Sequence, residues 1–270
     1  MNELERKMVQ QLQDLRENHH VVGVKAEFEA EGTRLEEAMR LKDVVSSAGL
    51  GLTIKIGGGE ALRDMYEARV IGVDRVVGPM IESAYALHKF LGAIKLAFPA
   101  GERDHVHVAI NIETVTSVDN LDAMLALPEI GELDGVVLGR VDMTGSLGLS
   151  RDDVNSQKIL EITRRVFEAS KAKGLECAVG GGVAKEALPF MRDLGGLLDR
   201  YETRKVIFGC PAALDENAEA GILKAVGFEL MWLKNKRDFY CSIYEEDRTR
   251  IEMLEARYAR LIEKVGGKLD

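Results

Sequence analysis

Short β-branched runs alternate with longer segments of helical period along most of this chain, the pattern that produces a parallel sheet covered by helices. The strand candidates are 21–28, 51–56, 74–78, 105–112, 134–139, 175–180 and 204–209, and helix candidates lie between them at 34–48, 60–70, 81–96, 116–127, 156–173 and 183–194. A (β/α)8 TIM barrel takes about 250 residues. The 270 residues here fit one such α/β domain, with an N-terminal helix at 1–20, a barrel core at 21–212 and C-terminal helices at 213–270. Seven runs are one short of closure. The remaining candidate, VGFELMWL at 226–233, reads equally well as strand or helix, and a seven-stranded or doubly wound sheet is the alternative architecture. At 245–265, Ile251, Leu254, Tyr258, Leu261 and Ile262 form the apolar side of an additional amphipathic helix. It packs on its own barrel or docks on a neighbouring subunit of a homo-oligomer.

Composition removes several function classes. With 46% hydrophobic and 30% charged residues the chain buries a core beneath a solvated surface, and a formal charge of −9 opposes the basic face that nucleic acid requires. Cys177, Cys210 and Cys241 are odd in number and widely spaced, as expected of reduced thiols in a cytoplasmic protein. No window approaches the length of a membrane span.

Strand parity then locates the chemistry. In 105–113, His105, His107, Ala109, Asn111 and Glu113 share a face opposite Val106, Val108, Ile110 and Ile112. Asn111 and Glu113 thus point into the barrel at the strand's C-terminal end, where barrel enzymes keep their catalytic residues. A buried carboxylate there requires a cation or a fixed partner. His105 and His107 lie about 20 Å or more down the same strand at ~3.3 Å per residue, too far to join it. The next strand ends in GVVLGRVDMTGSLGL, which brings Asp142 to the same end in a glycine-rich loop. Two carboxylates with no His or Cys cluster suit oxygen-ligated Mg²⁺ or Mn²⁺. Lys25, Glu27 and Glu29 share one parity on the first strand, and Thr53 and Lys55 on the second. These charges form the mouth of a polar cavity for a small anionic substrate, or an internal salt-bridge ladder. Gly180, Gly181 and Gly182 end another strand in a phosphate cradle or a tight turn.

These residues resemble the HpcH/HpaI aldolase and citrate lyase β-like family of pyruvate-type barrels. NIETVTSVDNLDAMLALPEIGELDGVVLGRVDMTGSLGL at 111–149 is similar to the family's (Q/A)IET, AVENLDEI-like and DGVFIGPxDLxxSLG series, and VDRVVGPMIESAYAL at 73–87 to its PMVES segment. The resemblance implies a metal-dependent carbon–carbon lyase acting through the enolate of pyruvate or a related 2-oxo acid. It implies Glu113 and Asp142 as metal ligands, and Asn111, Gly139, Arg140 and Val141 around the substrate. Lys55 falls where many members carry an arginine that steadies the pyruvyl oxygen and carboxylate.

The departures are specific. The family's DxEH segment ends in a basic histidine, and this chain has Glu27-Phe28-Glu29-Ala30, leaving Glu27 or Glu29 as proton carrier. The loop proline is replaced by Arg140, which is placed to meet a second carboxylate or a phosphate. The arginine expected after the PMVES helix has only Arg103 as a counterpart. A citrate lyase β, malyl-CoA or citrate synthase type of condensation is the first alternative reaction. A Schiff base on Lys55 or Lys25, and a catalytically silent barrel used for binding or assembly, are the others.

Overall fold

A computed structural model describes residues 1–267 of the chain. Eight strands close a barrel in sequence order: β1 Val21–Glu27, β2 Gly51–Lys55, β3 Arg75–Gly78, β4 His107–Ile112, β5 Gly135–Gly139, β6 Glu176–Gly180, β7 Arg200–Glu202 and β8 Val206–Gly209. The six successive pairs from β1 to β7 are parallel. β8 runs antiparallel to both β7 and β1 and closes the barrel as the return arm of a hairpin.

That hairpin is where the sequence reading needs correction. The eighth strand is Arg200–Glu202, ahead of the 204–209 run, and 226–233 lies within the long helix Ala218–Lys264. Three residues with no β-branched member and a turn of Arg204 and Lys205, without Gly, Asn or Pro, give none of the usual hairpin signals. Tertiary contacts hold it instead. Tyr201 stacks on Phe208 with centroids 4.6 Å apart, the Thr203 amide donates to the Val206 carbonyl at 2.9 Å, and the Tyr201 hydroxyl donates to the Ala213 carbonyl at 2.9 Å.

The alternating strand residues separate two cores. Outward-facing Val24, Leu52, Ile54, Val76, Val108, Ile110, Val136 and Val179 are buried beneath helix residues such as Leu41, Val44, Phe90, Ile94 and Phe167. Inside, Val77, Ala109, Val137 and Ala178 form one apolar layer, the packed interior expected of a small barrel. Above this layer lie the C-terminal ends of the parallel strands, and below it their N-terminal ends.

The chain divides into two compact units, Met1–Glu229 with the barrel and a second beginning at Leu230. The first contains the helix Glu3–His19, whose apolar side buries Met8, Leu12 and Leu15. The second continues as helix to Lys264. Among the described residues no helix is long and apolar enough to cross a membrane.

Candidate active site

The apolar alternation of β4 carries Asn111 inward, and one residue beyond its end Glu113 enters the barrel, 1% exposed. The carboxylate is tightly held. Its Oε2 accepts from the Asn111 side-chain amide at 2.8 Å and its Oε1 from the Met80 backbone amide at 3.1 Å. Met80 has φ +50, a left-handed conformation costly for a side chain of this size, and it sits in the PMIES segment that follows β3. Across the site, a Cβ on Gly139 would lie 2.7 Å from Glu113 Oε2, so the close approach of β5 to this carboxylate requires glycine. The segment pair is locked again by the Thr114 hydroxyl donating to Glu82, and by the Asn120 side-chain amide donating to the Glu82 carbonyl at 2.8 Å.

Glu113 opens onto a cavity of about 480 Å³ at the C-terminal end of the strands. Asp142 lines the same cavity from the first turn of the short helix Arg140–Ser146 and is exposed. Burial raises the pKa of Glu113 and the charge of Asp142 adds to the effect, against the opposing influence of Lys55, Asn111 and the Met80 amide. Lys55 Nζ lies 3.7 Å from Glu113 Oε2 and 2.9 Å from Glu29 Oε2. Lys25 Nζ pairs with Glu202 at 2.6 Å and with Glu27 at 3.2 Å.

Both lysines are therefore held as cations. Burial alone lowers their pKa values, but Glu202 and Glu27 around Lys25, and Glu113 and Glu29 around Lys55, outweigh it and raise both. Glu27 moves the other way: burial favours its protonated form, yet Lys25 and Lys55 hold its pKa below the ordinary value. It is a poor proton acceptor. Glu29 is more open, with a third of its side chain exposed.

The cavity wall carries Lys25, Lys55, Arg151 and Arg204 against Glu27, Glu29, Glu113, Asp142, Glu202 and Glu229, four cations against six carboxylates. The formal excess of two negative charges, with Glu113 buried and Asp142 on the same cavity wall, fits a hard divalent cation on an all-oxygen donor set. Among the described residues no group of three or more His, Cys, Asp or Glu is placed to hold a metal ion, and Glu113 and Asp142 are two carboxylates on one cavity wall.

Gly139 and Val141 line the cavity as the sequence motifs imply, and Arg140 does not. Its guanidinium is fully buried behind the wall, donating to the carbonyls of Gly181 at 2.7 Å and Gly180 at 3.4 Å and to Asn155 Oδ1 at 2.6 Å, with Phe190 4.8 Å from its Cζ. Burial lowers its pKa to about 10. The cation expected at the ligand instead ties down the Gly180–Gly182 turn. That turn is tight: a Cβ on Gly181, at φ +76, would lie 2.9 Å from the Val141 amide nitrogen. Arg103 is also displaced, donating to the Val106 carbonyl at 2.7 Å beside a separate cavity at the opposite end of the barrel, which His105 and His107 also line. Sequence reasoning missed Glu202, Arg204, Arg151 and Glu229. The first two belong to the unrecognised hairpin, and Arg151 and Glu229 lie on a 3-10 turn and the long helix, where no strand parity points inward.

Comparison with known proteins follows the same segments. The HpcH/HpaI aldolase/citrate lyase pattern matches residues 54–183, which include the PMIES, NIET and GRVD motifs. A 2-keto-3-deoxy-L-rhamnonate aldolase of Klebsiella pneumoniae is 34% identical over 94 residues, covering 34% of each chain. The enzyme of that name from Escherichia coli K12 is 27% identical over 144 residues, 44% of this chain and 52% of the relative. The chain thus spans about a third to a half of the curated relatives it matches. Among solved structures, citrate synthase SbnG superposes with TM-score 0.56 at 16% identity, covering 86% of this chain and 90% of that one. An HpcH/HpaI aldolase/citrate lyase family protein of Burkholderia cenocepacia gives 0.55 at 16%, covering 72% and 92%. At these identities the structural likeness speaks to the fold, and the sequence match, centred on the residues that build the cavity, speaks to descent. Residues 54–183 thus carry the HpcH/HpaI aldolase/citrate lyase pattern.

Proposed function

We propose that the chain is a divalent-metal-dependent carbon–carbon lyase of the aldolase type, which makes or breaks a bond next to the carbonyl of pyruvate or a related 2-oxo acid. The observation that carries this reading is the buried Glu113 carboxylate sharing with Asp142 a cavity of excess negative charge. Glu113 and Asp142 would hold Mg²⁺ or Mn²⁺. Bound there, the cation supplies Lewis-acid stabilisation of the charge that develops on the ketone oxygen.

The remaining roles belong to the chain itself. Lys55, kept protonated by its carboxylate neighbours, offers a fixed positive charge to the anionic substrate. The same protonation makes Lys55 and Lys25 poor amine nucleophiles, which disfavours a Schiff base. Asn111 orients Glu113, and Gly139 and Val141 leave room for the substrate carboxylate. With Glu27 fixed as an anion by Lys25 and Lys55, Glu29, a third of whose side chain is exposed on the cavity wall, is the more accessible proton carrier in place of histidine. Arg151 and Arg204 on the cavity wall favour a second reading, condensation with a carboxylate-bearing partner of the citrate synthase kind. The proposal extends to a cytoplasmic homo-oligomer without nucleic-acid or membrane partners, supported by three free cysteines and the charge of −9.

Exchange of pyruvate methyl protons with solvent deuterium, followed by NMR, tests the shared half-reaction. The expected result is Mg²⁺- or Mn²⁺-dependent exchange abolished by chelator and by Glu113→Gln or Asp142→Asn. Metal-independent exchange with borohydride trapping would overturn it in favour of a lysine, and absence of exchange with any 2-oxo acid would leave a silent barrel. Product analysis with oxaloacetate against simple aldehydes then separates the two overall reactions.

A further inference from the structure

The unit that begins at Leu230 carries a second pattern, unrelated to the barrel. From Leu230 to Leu261 the helix places a residue every three and four positions alternately on one stripe: Leu230 and Leu233, then Ile251, Leu254, Tyr258 and Leu261, each at least 50% exposed. That is a heptad seam of more than four heptads, aliphatic or aromatic at eight of its ten positions, which a helix exposed to water has no reason to maintain. The intervening seam positions are Arg237, Tyr240, Tyr244 and Asp247. Off the seam, Arg248 pairs with Glu245 and Glu252, and Arg250 with Glu246, which supports the helix without help from packing.

The two seam charges are of opposite sign and equally distant from the point midway between Tyr240 and Tyr244. We propose that this helix pairs antiparallel with the same helix of a second copy of the chain. Turned about that midpoint, Arg237 faces Asp247 of the second copy, Leu233 faces its Ile251, Leu230 its Leu254, and Tyr240 its Tyr244. Every seam position from 230 to 254 then meets a matched one. A parallel, in-register pair would instead press Arg237 on Arg237 and Asp247 on Asp247, burying like charges. The exchange of the same residues between both copies is the self-complementarity that a two-fold interface requires. Exposed Cys241, beside the central layer, comes to the two-fold axis near its own copy.

The pairing does not depend on the catalytic reading, and its test reads association alone. In the full-length protein, mild oxidation should join Cys241 to Cys241. In a Cys241→Ser background, Ile251→Cys should not cross-link to itself, because the two copies of residue 251 are separated by about 27 Å at ~1.5 Å per residue. It should cross-link when mixed with a Cys241→Ser/Leu233→Cys chain. Arg237→Asp should weaken association at least about tenfold by sedimentation, and adding Asp247→Arg should restore it. These residues are exposed in the single chain, so the far-UV circular dichroism of the variants should match wild type, with any drop in melting temperature following the lost association. Homotypic cross-linking at 251 would replace the proposal with a parallel coil. Cross-linking at 241 that survives Leu233→Asp/Leu254→Asp, or a monomeric wild-type chain at tens of micromolar, would also overturn it.

Discussion

Each end of the barrel interior sets a glutamate against cations, and the two reach opposite states. Below the apolar layer of Val77, Ala109, Val137 and Ala178, Glu176 is gripped by Arg75 at 2.7 Å and Arg200 at 2.8 Å, with His107 beside them. Above it, Glu113 has one lysine at 3.7 Å and a second carboxylate, Asp142, on the same cavity. The carboxylate at the bottom is depressed in pKa by its two arginines despite burial, and the one at the top is raised. Bidentate-capable arginines close a structural ion pair, and the point-charged lysine, at a longer distance, leaves a site incomplete. An incompletely neutralised carboxylate is what a cation or substrate can complete.

Swapping the two carboxylates for amides should separate these roles most sharply. Glu113→Gln keeps one oxygen to accept from the Met80 amide and turns its NH2 toward Asn111, whose side-chain amide can flip to accept it, and should lower metal-dependent proton exchange by about 10³-fold or more while leaving thermal stability near wild type. Glu176→Gln should do the reverse. It leaves Arg75, 5% exposed, and Arg200 without their counter-charge, a loss on the order of 3–5 kcal/mol in denaturant titration, with exchange per folded molecule near wild type. Equal stability losses from both would erase the distinction between the two ends.

Acid should also act on the bottom first. Burial, with Arg75 second, lowers the His107 pKa to about 4 from an ordinary 6.5. As pH falls through that window the unfolded chain binds a proton that the folded chain refuses, so stability attached to the neutral ring is complete above 6.5 and is lost toward 4. His107→Gln should flatten that segment of the stability–pH curve by on the order of 2 kcal/mol, measured by urea melts at pH 7 and pH 4.5.

Much of the top end was legible because strand parity and the end of β4 are local properties. Asn111 and Glu113 follow from alternation alone, and Asp142 from the glycine-rich segment after β5. The long helix at the C-terminus was half legible: apolar spacing marked 251–262, but the same stripe continues back to Leu230 through Arg237 and Asp247, where charges hide the period. β7 was not legible, because a three-residue Arg-Tyr-Glu strand is formed by partners on either side and by Tyr201 stacking on Phe208, not by its own propensity. With it went Glu202 and the pairing that fixes Lys25.

Arg140 is the instructive error, since its position was right and its direction was not. The first residue after β5 was expected to reach a ligand, but the loop turns its side chain back between Phe190 and the carbonyls of Gly180 and Gly181. There it replaces the rigidity of a proline with three fixed donors. Lysine at this position keeps the charge but loses the planar fork, so Arg140→Lys should cost about 1–2 kcal/mol through the partners left unpaired. If the guanidinium only steadies the Gly180–Gly182 turn, KM for pyruvate exchange should rise alike for substrates with and without a second carboxylate. A KM increase confined to the dicarboxylate would instead return Arg140 to the ligand and make the buried arrangement one of two that the loop adopts.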